Sequence, residues 1–326
     1  MAVYTEVSDE ALRAFLAEYD LGELVAYRGI AEGVENSNYA LRTTTGDFIL
    51  TLYERRVDPR ELPYFLGLMD HLAARGLPCP TPVHGRDGAS LRQLAGRPAA
   101  ICTFLPGVWP RRVRQEHCAP LGDALAALHA AGEGFEPVRE NALGPRGWPP
   151  LLDACRARGD EVREGLIAEL DAALSGILRE WPAPGSLPRG HIHADLFPDN
   201  VFFLDGPDGK PRVSGLIDFY FACTDLLAYD IAVCLNAWCF ETDLSFNVTK
   251  ARAMLAAYEA KRKLTDAERE ALPVLCRGAA IRFLLTRLYD WTHTPPGALV
   301  TRKDPLEYLR RLRFHAEARG PSAYGL

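Results

Sequence analysis

Two periodicities divide the chain. From residue 8 to about residue 105 the apolar positions come in short runs and alternations. Beyond Gly107 they recur every three or four residues, the spacing of amphipathic helices. Ser8 is a good N-cap, and it precedes a helical face made by Leu12, Phe15 and Leu16. Strand-like runs follow at Leu24 to Arg28, Asn38 to Thr43 and Asp47 to Tyr53, with Thr45-Gly46-Asp47 as the turn joining the last two. The spacing predicts a helix from Pro59 to Arg75, stopped by Gly76 at the C′ position with Pro78 just beyond. Two more strands are expected, at Ser90 to Leu94 and Ala99 to Phe104. Leu105-Pro106-Gly107 then breaks regular structure. It is the expected hinge between a nucleotide-binding lobe at 1–105 and a catalytic and substrate lobe at 106–326.

Beyond the hinge, Cys118 to Ala131 carries an apolar stripe through Leu121, Leu125 and Leu128. One helix is expected from Trp148 to about Trp181, weakly interrupted near Gly159, and four more at roughly 229–240, 247–261, 265–291 and 304–319. No internal repeat is visible. A small antiparallel-sheet lobe followed by a larger, mainly helical one is an α+β architecture.

Composition narrows the class. At 326 residues the chain exceeds one average domain, and 48% hydrophobic with 25% charged residues is ordinary for a soluble globular enzyme. A net charge of −6 disfavours nucleic acid as a partner. The Met1 to Glu10 segment is polar and acidic, unlike a signal peptide. No apolar run approaches the ~20 residues that span a bilayer. The longest apolar stretch, Tyr229 to Trp238, contains Asp230 and Asn236. The eight cysteines are dispersed with no C-x-x-C pair, which reads as small core residues rather than zinc ligands.

The chemistry concentrates between residues 191 and 218. His193-x-Asp195-x-x-x-x-Asn200 is followed by the apolar run Val201 to Leu204, the turn Asp205-Gly-Pro-Asp208-Gly209, a second apolar run and Asp218. An alcohol is a poor nucleophile, and the loose transition state of phosphoryl transfer asks for alignment and a late proton acceptor. Asp195 can be that acceptor. Asn200 and Asp218 offer the hard oxygens that magnesium prefers, each at a strand end, and the hairpin between them would bring them together. Asp199 is either a third ligand or a solvated loop acid, the simpler reading. His193 is expected to orient the loop. The segment Arg28 to Tyr39, with Gly33, Asn36, Ser37 and Asn38 at its bend, lies between two strands, where backbone N–H groups can cradle phosphates. A P-loop is absent.

These motifs, with Ile217-Asp218-Phe219 and Asp225-Leu-Leu-Ala-Tyr-Asp230, resemble the aminoglycoside phosphotransferase/choline kinase superfamily, a branch of the protein-kinase-like two-lobed fold. Gly33 to Tyr39, Phe48 to Glu54, Gly76-Leu-Pro-Cys-Pro80 and Arg282 to Asp290 are similar to its homoserine kinases. The resemblance implies ATP-dependent phosphorylation of the L-homoserine hydroxyl, a step of threonine biosynthesis, by a cytoplasmic enzyme using Mg2+. It also implies that Asp230 supports the catalytic loop and that Phe104 and Leu105 line the adenine pocket.

One departure stands out. Kinase-like folds place a Lys on the third strand against the phosphates, and here Thr51 occupies that place. Arg55 or Arg56, paired with Glu61, would be the substitute, or all three are surface charges. The gap leaves a non-catalytic nucleotide-binding pseudokinase as an alternative, against which Asp195, Asn200 and Asp218 argue. Homoserine carries a carboxylate and an ammonium, so its site calls for an Arg and an acid. Arg282, Arg287 and Asp290 answer that on one helix, although an internal Arg287–Asp290 ion pair is the plainer account. An aminoglycoside would want an acidic cluster, whereas the last helix is rich in arginine. Choline would want an aromatic cage, for which Trp238, Tyr289 and Trp291 are candidates.

Overall fold

Local signals place the elements. The Ser8 side chain accepts the Ala11 N–H and opens α1 (Asp9–Leu16). Five strands follow or flank it: β1 (Leu24–Gly29), β2 (Ser37–Thr43), β3 (Asp47–Leu52), β4 (Arg92–Leu94) and β5 (Arg97–Thr103), with α2 (Leu62–Ala74) between β3 and β4. Gly76, at φ 82°, ends α2 as the turn chemistry requires, and Leu77 N–H reaches back to Leu72 O at 3.1 Å. The structure, a computed structural model, describes residues 4–30, 36–54, 58–294 and 302–326.

The residues gather into two compact units. One comprises Met1–Gly107 with Phe135–Pro137 and Ser214–Tyr220. Its antiparallel sheet runs in the order β1-β2-β3-β5-β4. The alternation in β2 turns Ser37, Tyr39, Leu41 and Thr43 inward, and Leu12, Phe15 and Leu16 of α1 join Leu41, Leu50 and Ile101 in one core. The β4–β5 turn is Ala95-Gly96, both at positive φ, as a two-residue hairpin loop needs.

The other unit comprises Val108–Gly134, Val138–Val213 and Phe221–Leu326. It contains α3 (Gln115–Ala131), α4 (Trp148–Cys155), α5 (Leu166–Glu180), β6 (Arg189–Ile192), β7 (Val201–Asp205), β9 (Cys223–Leu226), α6 (Leu227–Trp238), α7 (Val248–Lys261), α8 (Asp266–His293) and α9 (Leu306–Glu317); β8 (Pro211–Leu216) forms a two-stranded sheet with β7. The single helix expected at 148–181 is two helices. A 3-10 turn at Gly159–Glu161 and Gly165 at φ 72° interrupt it, because the left-handed residue cannot continue an α-helix. A Thr265–Glu268 capping box starts α8.

The sequence pattern did not anticipate β6 and β9, which pair antiparallel from Arg189↔Leu226 to Ile192↔Cys223. β6 leads directly into His193 and Asp195, and β9 leads directly into α6, which carries Asp230. This small sheet therefore sets one beneath the other. The eight cysteines are all buried and unbridged, and burial pushes thiols such as Cys155 up to about 11, so they behave as the core residues expected. Among the described residues no helix is long and apolar enough to cross a membrane.

Helices α3 and α7 approach closely at Gly122, where an added Cβ would lie 2.0 Å from the Met254 carbonyl oxygen. Backbone cannot give way cheaply. Gly122→Ala should therefore destabilise the helical unit by about 1–3 kcal/mol, read as a lower urea midpoint; an unchanged midpoint would show that the two helices separate freely.

Candidate active site

The chain leaves β6 and turns at once. Ala194 adopts φ 63°, a left-handed conformation that costs a non-glycine residue of order 1 kcal/mol or more. Two buried donors hold it there. The His193 N–H donates to Asp230 Oδ2 and the Ala194 N–H to Asp230 Oδ1, each at 2.8 Å. Asp230 sits on the first turn of α6 with no exposed surface. His129 Nε2 on α3 lies 3.3 Å from the same carboxylate, and its Nδ1 meets the Tyr258 hydroxyl at 2.7 Å. Burial alone would raise the Asp230 pKa, but the hydrogen bond and charge of His129, with His193 and its backbone donor, hold it below the ordinary 3.8. The stability it confers is complete above that ordinary value and fades as pH falls through the lower folded one.

The rest of the loop is pinned as closely. Arg282 donates to the Ala194 carbonyl, Asn200 Nδ2 to the Asp195 carbonyl at 2.8 Å, and Trp238 Nε1 to the Leu196 carbonyl at 2.8 Å. The Asp195 N–H donates to His193 Nδ1 at 3.3 Å. The Asp195 carboxylate, 19% exposed, has Arg282 Nη2 at 3.7 Å from one oxygen and Asn200 Nδ2 at 3.4 Å from the other. A half-buried carboxylate is thus held between two fixed partners. Arg282 is 1% exposed and lies over the Phe283 ring at 4.3 Å, so its guanidinium is committed to this loop.

His193, Asp195, Asn200 and Arg282 therefore come together in the helical unit. Asp218 groups with the sheet unit. It is exposed, at φ 66°, just beyond β8. Among the described residues four non-glycine residues have positive φ, and two of them are Ala194 and Asp218. Backbone strain gathers where function fixes a side chain's direction. Asp199 is exposed on the loop.

The residues expected on the nucleotide side are partly described. Gly33, Arg55 and Arg56 lie outside the described residues. Asn36 and Ser37 are buried: Asn36 Oδ1 accepts the Glu54 N–H at 3.2 Å, and Ser37 Oγ donates to Glu54 Oε1 at 2.7 Å. Asn38 Oδ1 accepts the Thr51 hydroxyl at 2.8 Å. These side chains knit the sheet. At the place of the kinase lysine there is accordingly a neutral hydroxyl, and Glu54 pairs with Arg97 of β5 at 3.1 Å. Glu61 precedes α2 at the N-cap position without a side-chain capping bond. Phe104 is 47% exposed, while Leu105 packs on Gly215, where a Cβ would come within 2.8 Å of it.

Arg287 binds Glu307 at 2.8 Å and the Asp304 carbonyl at 3.0 Å, and the Asp290 side chain is exposed; the Arg287–Asp290 pair does not form. Sequence reasoning passed over His129, Tyr308 and Arg311. The first carried a signal, an imidazole beside the apolar stripe of α3.

A family model, the phosphotransferase enzyme family, matches residues 26–264. The chain belongs to that family. It is 71% identical over 326 residues to a homoserine kinase of Gluconacetobacter diazotrophicus and 70% identical over 326 residues to one of Acidiphilium cryptum, covering all of both chains in each case. The structure of a microcompartment-associated aminopropanol kinase aligns with a TM-score of 0.67 at 21% identity, covering 95% of this chain and 94% of that one. The fold is thus the protein-kinase-like α+β fold, and the chain is an ATP-dependent kinase.

In this kinase Asp230→Asn would turn an amide NH2 against one of the two loop donors. We expect a loss of about 2–4 kcal/mol in unfolding free energy together with a fall of about 10²-fold or more in kcat, measured by urea denaturation and steady-state turnover. Wild-type stability and kcat would mean that the loop does not need the carboxylate.

Proposed function

We propose that the protein transfers the γ-phosphoryl group of ATP to the side-chain hydroxyl of L-homoserine, as the family resemblance and the full-length identity to homoserine kinases support. The observation that carries this reading is identity of 71% over the whole chain. In it Asp195 accepts the hydroxyl proton as the bond to phosphorus forms, and the leaving group is ADP. The fixed loop contributes mainly by alignment: the carboxylate need not reorganise when the proton arrives. His193 and Arg282 position it.

Magnesium is implied by the family, and each of the two expected donors is by itself of the hard-oxygen type it takes. Asn200 spends its Nδ2 on Asp195 and so keeps Oδ1 available, and Asp218 presents an exposed carboxylate. Among the described residues no group of three or more His, Cys, Asp or Glu forms a metal cluster, so phosphate oxygens would complete the shell. When bound, the ion offsets negative charge on the phosphates. On the nucleotide side, the backbone around Asn36 to Asn38 covers the phosphates, and Phe104 and Leu105 border the adenine. No charge at Thr51 assists, so the grip on ATP leans on backbone N–H groups and magnesium. The reading places the enzyme in the cytoplasm, in threonine biosynthesis.

ADP release measured in parallel with L-homoserine, choline and an aminoglycoside tests the acceptor. Stimulation by homoserine alone is expected. Stimulation by choline or the aminoglycoside instead would remove the substrate assignment, and none by any hydroxyl acceptor would favour a pseudokinase.

A further inference from the structure

Helix α9 reads from sequence as a basic surface helix, yet it brings one aromatic ring and two guanidinium groups together. Tyr308 has no exposed surface, and its hydroxyl has no hydrogen-bond partner among the described residues. The guanidinium carbons of Arg287, from α8, and Arg311, three residues along α9, each lie 4.5 Å from the Tyr308 ring centroid. Arg287 is answered by Glu307 at 2.8 Å. Arg311 meets no carboxylate among the described residues. Its Nη1 donates to the Asn236 carbonyl at 2.6 Å, its Nε is buried without a partner, and its guanidinium also lies 5.2 Å from the Phe240 ring centroid.

The same cluster adjoins the catalytic loop. Phe283 meets Phe197, two residues past Asp195, edge to face at 4.8 Å between ring centroids, and Tyr308 at a tilt at 5.4 Å. Burial pushes the Tyr308 phenol up, Arg311 and Arg287 draw it down, the Asp195 carboxylate pushes it up again and Arg282 draws it down. A half-buried arginine held by stacking, with donors to spare and no acid to meet them, is prepared for an anion. Homoserine is short, and its carboxylate is only a few carbon atoms from the hydroxyl that faces Asp195.

We propose that Arg311, with Arg287 beside it over the Tyr308 ring, receives the carboxylate of the acceptor and so makes the kinase select an amino-acid alcohol over an amino alcohol lacking the acid. This rests on the reading of the enzyme as a homoserine kinase. Arg282, committed to the Ala194 carbonyl and to Asp195, acts on the loop. The structural alternative, in which Arg311 only staples α9 to α6 through Asn236, predicts losses that do not depend on the acceptor.

The test uses the full chain with MgATP, comparing kcat/KM for L-homoserine with that for 3-aminopropan-1-ol, which is homoserine without its carboxylate. Wild type should favour homoserine, and Arg311→Met should reduce that ratio by about a hundredfold while KM for ATP moves less than about threefold. An unchanged ratio, or equal losses on both acceptors, would overturn the inference. So would a wild-type enzyme that does not distinguish the two, although it would leave the homoserine assignment standing. Wild type inactive on homoserine would remove that assignment and this inference with it. Should Arg311→Met fail to fold, Arg311→Lys keeps the stem and charge but loses the fork. It should reduce the ratio by about tenfold, and an unaltered ratio there would be equally decisive against the clamp.

Discussion

A carboxylate with no contact with water organises the catalytic end of this protein. An ionised group costs several kcal/mol to bury unless its oxygens are fully engaged. Asp230 meets that demand with two backbone N–H groups of the loop and an imidazole from α3. The dependence runs both ways: the loop donors keep the acid charged, and the acid keeps Ala194 in a conformation it would otherwise leave. Once that turn is fixed, the Arg282, Asn200 and Trp238 donors fall on three successive carbonyls, those of Ala194, Asp195 and Leu196.

The sheet unit works by a different chemistry. Where a kinase-like fold usually sets a lysine, Thr51 and Asn38 bond to each other, and Tyr53 and Tyr220 share a hydroxyl contact at 3.1 Å. Burial pushes the Tyr53 and Tyr220 phenols up, so they stay neutral. A neutral surface of this kind can hold a nucleotide by shape and backbone donors, but it does not neutralise phosphate charge. In the helical unit the charges are of the other kind: Arg287 pairs with Glu307, and both Arg287 and Arg311 lie over the Tyr308 ring.

Much of this was legible in the sequence, for physical reasons. The motif from His193 to Asn200 is contiguous because one loop carries Asp195 and the Asn200 amide that donates to its carbonyl. The long helices declare themselves by apolar spacing, and α2 by its terminal glycine. What escaped was too short or too polar to show a period. β6 and β9 have four residues each, and only their pairing, fixed by the fold around them, makes them strands. The break between α4 and α5 depends on Gly165 at positive φ, which sequence periodicity weighs lightly. Tyr308 and Arg311 escaped because charged residues on an amphipathic helix ordinarily face water. Three-residue spacing put them on one face, but only the approach of α8 turned that face inward.

The central claim is that a loop anchored on Asp230 aims Asp195 as the proton acceptor. The most direct measurement is single-turnover phosphorylation of L-homoserine by Asp195→Asn, with the ATP dissociation constant determined alongside. The account predicts a loss of about 10³-fold or more in the chemical step, with ATP binding within about threefold of wild type. Turnover within tenfold of wild type, with ATP bound normally, would contradict it.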